Sequence, residues 1–190
     1  VKHAGGFKPA IMAGEEPELC ERLRAEGGRI QAIATPMATH DAAIDRFPQW
    51  WQRQVRAGYG MGQVAFRRDR IGARVFTRQI ASAALWGCAW PLATLACFTL
   101  AFVYPPVGAV GGALLLVMAA MIIRIGARGL RKGLSTPEAI AHGGLTMIAK
   151  SGLSVGLFRW ALDRLRGRSV DALTYKTAAP GATPPAEHDA

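Results

Sequence analysis

Two kinds of apolar pattern divide the chain. Over residues 80–104 the sequence IASAALWGCAWPLATLACFTLAFVY runs about 25 residues without a charge, enough to cross a hydrocarbon core of about 30 Å as a helix. A second run, VGAVGGALLLVMAAMII over residues 107–123, is near the lower length limit for a span. Only Pro105 and Pro106 separate the two, so the pattern predicts a transmembrane helical hairpin.

Outside the hairpin the apolar residues are sparser and periodic. Pro17 suits the first turn of a helix with Glu16 at or next to its cap, Leu19 and Leu23 lie one turn apart, and Gly27-Gly28 ends the run. Residues 29–34, RIQAIA, alternate polar with apolar as a short strand does, and residues 35–41 read as a loop carrying His40. A helix is expected from Pro48 to about Gly58, with Gly60 and Gly62 loosening the chain beyond it. Residues 1–62 therefore read as an α/β fragment, followed by a mainly α membrane region. Within 63–79, Ile71 and Val75 share one side while Arg67, Arg70, Arg74 and Arg78 repeat on another, a basic amphipathic interfacial helix. After the hairpin, residues 124–176 form a basic region whose helix opens at Thr136-Pro137-Glu138. His142, Lys150 and Arg159 interrupt it, so an interfacial or domain-packed helix is expected ahead of a third span. Residues 177–190, rich in Ala, Pro, Gly and Thr, read as a disordered tail.

Charge fixes the expected orientation. The chain carries 23 Lys and Arg against 13 Asp and Glu, a net charge of +10. Arg67, Arg68, Arg70, Arg74 and Arg78 precede the first span, and Arg124, Arg128, Arg131 and Lys132 follow the second. Basic flanks stay in the cytoplasm and attract anionic lipid, so both ends are expected on the cytoplasmic side of the inner membrane. No zinc spacing or RNA-binding aromatic signature accompanies the charge, so nucleic acid is not an expected partner. Cys20, Cys88 and Cys97 make no disulfide framework.

The residues with candidate chemistry start at GEEPELCERLR, where Glu15, Glu16 and Glu18 surround Pro17. Carboxylates at a helix start are favoured by its free backbone donors and dipole, so capping alone is one account of Glu16 and Glu18. Together with Gly5-Gly6-Phe7 upstream and the Arg22-Leu23 and Gly27 frame downstream, however, the ensemble resembles the second half of the catalytic domain of family 2 glycosyltransferases of the GT-A type. The resemblance implies a fold, the C-terminal part of a Rossmann-like domain, and a reaction. An inverting transfer moves a sugar from a nucleotide-sugar donor to a hydroxyl of a lipid-linked or cell-envelope glycan acceptor, and a base must take that hydroxyl's proton. Glu16 falls where the family places a catalytic aspartate, with Glu15 as partner or substitute. Gly6 and Phe7 fall on the substrate side, and His40 is a possible ligand of the divalent Mg or Mn that accompanies the diphosphate.

Gln49, Trp50 and Arg53 invite comparison with the Gln-x-x-Arg-Trp element of processive polysaccharide synthases, and would line the acceptor or donor side, while the Trp50-Trp51 pair reads equally as docking the domain on the membrane helices. Here arginine comes one residue late and no tryptophan follows it, which counts against processive synthesis. His40 and Asp45 also show the His-x4-Asp spacing of glycerolipid acyltransferases, without that family's further motifs. The Asp-x-Asp element of the donor-binding half does not occur ahead of Glu15. The chain is therefore expected to be part of a longer enzyme and inactive alone. The alternative is a non-catalytic membrane anchor or assembly subunit.

Overall fold

In a computed structural model, residues 5–8, 11–31, 44–66 and 75–168 are described. They form five helices: α1, Glu15–Ala25; α2, Phe47–Ala65; α3, Thr77–Leu100; α4, Pro106–Leu130; and α5, Thr136–Leu165. There is no β-strand among the described residues, which overturns the expected α/β class. Of the expected strand, Arg29–Gln31 are irregular and 32–34 lie outside the described residues, as do the loop with His40, the centre of the amphipathic stretch (67–74) and the tail 177–190. A single six-residue alternation has no stability of its own, because a strand needs a pairing partner, and no described segment supplies one.

The described residues fall into two compact units, one within Val1–Thr77 and Gly156–Ala190 and the other spanning Arg78–Val155. In the first unit, α1 starts after Gly14, whose φ of 90° turns the chain, and places acids in its first turn and Arg22 and Arg24 in its last, matching the helix dipole. It ends as its sequence predicts. Gly27 is left-handed, Gly28 N–H reaches the Leu23 carbonyl at 2.8 Å and Gly27 N–H the Arg24 carbonyl at 3.0 Å.

Helix α2 does not stop near Gly58 but continues to Ala65. The glycines there serve packing. A Cβ at Gly60 would overlap the Ala13 carbonyl, and one at Gly62 would lie 2.5 Å from the Trp160 ring of α5. The core of this unit gathers Ile11, Leu19, Val55, Tyr59 and fully buried Val64. The ring of Trp160 also stacks on Phe66, with centroids 5.0 Å apart.

The second unit contains most of α3, all of α4 and the first two-thirds of α5. Thr77–Leu100 and Pro106–Leu130 are long and apolar enough to cross a membrane. Their apolar side chains face outward: Leu92, Leu95, Leu116 and Ile123 are all exposed. The two helices meet where Trp90 Nε1 donates to the Leu114 carbonyl at 3.1 Å. Over Ala84–Ala89 the hydrogen bonding of α3 widens to i→i+5. The cause is local: Ser154 Oγ donates to the Ala83 carbonyl at 2.7 Å, competing with the regular ladder, and Gly87 sits against the Lys150 backbone.

Candidate functional site

The acids that opened the functional question separate into two classes. Glu18 is buried, and its carboxylate is held by Arg22, whose Nε lies 3.0 Å from both oxygens and whose Nη2 lies 2.9 Å from Oε2. The same Nη2 donates to the Gly6 carbonyl at 2.6 Å, and Lys8 Nζ approaches Glu18 at 3.5 Å. One guanidinium thus ties the Gly5–Lys8 segment to the middle of α1. Glu15 is half-buried and Glu16 exposed on the first turn, and neither enters an ion pair among the described residues. Two carboxylates stay available to solvent beside a fixed scaffold.

The remaining residues expected at the site are dispersed in role. Gly6 is a left-handed turn residue with φ of 64°, and Phe7 is exposed. Gln49 turns back to cap α2, its Oε1 accepting from Asp45 N–H at 3.1 Å and Arg46 N–H at 3.2 Å. Trp50 is half-buried with its ring 5.3 Å from that of Phe47, and Arg53 is exposed. His40 lies outside the described residues. Gly6 is therefore tied through Arg22 to Glu18 in the middle of α1, with no bond to Glu15 or Glu16, while Gln49 is engaged with its own helix end.

Sequence reasoning missed Arg22 as the organiser and missed a cavity of about 350 Å³ in the same unit. Arg56 and Tyr59 of α2, Arg159 and Asp163 of α5 and Arg166 just beyond it line it, and none of Glu15, Glu16, Gly6, Phe7, Gln49, Trp50 or Arg53 does. The i, i+3 and i+7 spacing of Arg159, Leu162 and Arg166 is the signal that marks this face. Among the described residues no three of His, Cys, Asp and Glu gather to hold a metal ion. Donors for the divalent metal implied by the resemblance would have to lie elsewhere, and no step is derived through it.

No protein-family model matches the chain, and comparison with curated proteins and with solved structures finds no match for it.

Proposed function

We propose that the chain contributes the acceptor side and the membrane anchor of an inverting family 2 glycosyltransferase, with Glu16 as the base and Glu15 as its partner. The observation that carries this reading is the contrast within one helix: Glu18 is consumed by Arg22, whereas Glu15 and Glu16 stand unpaired on the first turn among the described residues. A base needs that arrangement, because a carboxylate already in an ion pair gains little by taking a proton and one on a mobile segment cannot hold its angle of attack. The Arg22 bond to Gly6 supports it further, since it draws the Gly-Gly-Phe element to the acidic helix. Two exposed apolar helices of spanning length support anchoring in the inner membrane, with Arg124, Arg128, Arg131 and Lys132 retained on the cytoplasmic side. An acceptor carried by a lipid would be concentrated at such a site without any new contact.

The test uses the full-length protein in native membranes and follows transfer of label from nucleotide-sugars into lipid and glycan fractions. Glu16→Gln is expected to lower turnover by about a hundredfold or more while donor KM is largely kept. Unchanged turnover in both Glu16→Gln and Glu15→Gln removes both from the role. A second reading, a non-catalytic anchor, is favoured by the exposure of Glu16 and by the absence of these acids from the cavity of this unit. Membranes whose sugar transfer is the same with and without this protein would select it.

A further inference from the structure

The second unit contains a cavity of its own, about 340 Å³, within the range of about 300–1,000 Å³ that small-molecule sites occupy. Three stripes at helical spacing converge on it. Helix α3 brings Ser82 and Trp86, α4 brings Met121, Ile125 and Arg128, with Lys132 one turn further on, and α5 brings His142, Thr146 and Lys150. The polar part of the lining is therefore two hydroxyls, an imidazole, one guanidinium and two lysine side chains, with no carboxylate. Glu138 is the one acid in residues 78–155, and its carboxylate accepts from Ser135 instead. None of Arg128, Lys132 and Lys150 is in an ion pair among the described residues. Three cations around one hollow repel one another, and the arrangement is relieved by an anion between them.

We propose that this cavity binds the phosphate of an anionic lipid headgroup. Its position selects a lipid over a free anion. Arg128 and Lys132 stand at the C-terminal end of a helix of spanning length, where headgroups lie, and Trp86, Met121, Ile125 and Met147 continue the wall as an apolar surface for an acyl chain. The site acts whether or not the protein transfers sugar.

The experiment purifies the full chain in neutral detergent and counts bound molecules by native mass spectrometry, with phosphatidylglycerol, phosphatidylcholine and inorganic phosphate as separate probes. Phosphatidylglycerol is expected to bind in preference to phosphatidylcholine, with inorganic phosphate a weak competitor. Each cation near a headgroup contributes about fivefold in affinity, so Arg128→Gln with Lys150→Gln should weaken binding about twenty-five-fold, and Lys132→Gln alone, on an exposed side chain, about fivefold. Arg128→Lys with Lys150→Arg should restore it. Arg124→Gln with Arg131→Gln removes the same charge outside the cavity and should change binding by less than about twofold. Equal losses in the two double variants, equal binding of phosphatidylcholine, or inorganic phosphate binding as tightly as phosphatidylglycerol would each overturn the proposal.

Discussion

Glu18 and Arg22 form a buried ion pair one turn apart in α1, and Arg22 spends a further donor on the Gly6 carbonyl. Removing one member leaves the other charged and enclosed, which typically costs about 3–5 kcal/mol. Arg22→Ala should therefore lower the urea midpoint of the first unit, followed by tryptophan fluorescence, and release the Gly5–Lys8 segment to proteolysis. Lys8 at 3.5 Å is too solvent-exposed to compensate. The double variant Glu18→Leu with Arg22→Met should regain much of the loss, since apolar replacement of both members removes the desolvation cost.

That pair also shows where sequence reading stops. Glu15, Glu16 and Glu18 are alike in type and lie within one turn, so nothing local says which is buried. Gly6 and Lys8, upstream of the helix, decide it. The two apolar helices were legible because an uncharged run of lipid length has few competing uses. The end of α1 was legible because a left-handed Gly is a local requirement. The length of α2 was not, since Gly60 and Gly62 look like a terminus until Ala13, upstream of the helix, is packed against the one and Trp160, about a hundred residues beyond, against the other. The cationic stripes of α4 and α5 were visible as charge but read only as membrane flanks, because convergence of three helices is not a local property.

Close backbone approach at Gly87 gives a second prediction. A methyl group there would overlap the Lys150 carbonyl, so Gly87→Ala must push α3 and α5 apart, at a cost of about 1–3 kcal/mol. Gly112, on α4, has nothing within 4 Å of the same position. Gly112→Ala should be neutral or stabilise by up to about 1 kcal/mol through helix propensity. Thermal loss of helical circular dichroism in micelles should place the first variant below the parent protein and the second at or above it.

The proposed transmembrane hairpin makes a directional prediction. In a background with Cys20, Cys88 and Cys97 replaced by Ser, Val103→Cys in the α3–α4 turn should react with a membrane-impermeant maleimide added outside the cytoplasm, because Val103 is exposed and the turn carries no charge. Arg131→Cys, beyond the end of α4, should react only after the membrane is opened. Reaction of both, or the reverse order, would refute a hairpin with cytoplasmic ends.

The start of α5 carries a pH-dependent cap. Glu138 Oε2 accepts from the Ser135 hydroxyl at 2.7 Å and from its backbone N–H at 2.8 Å, and these two bonds, the hydroxyl's the larger, hold the Glu138 carboxyl below its ordinary value of 4.5. A carboxyl whose folded value is depressed contributes stability that is present above the unfolded value and lost as pH falls through the folded one. The first turn of α5 should therefore be intact above about pH 5 and fray on further acidification, read from the amide shifts of Ser135 and Thr136 in micelles. Glu138→Gln keeps an acceptor but has no proton to gain, so its α5 terminus should show no transition over the same range. Glu138→Ala should be frayed at every pH. A transition that survives in Glu138→Gln would assign it to another group.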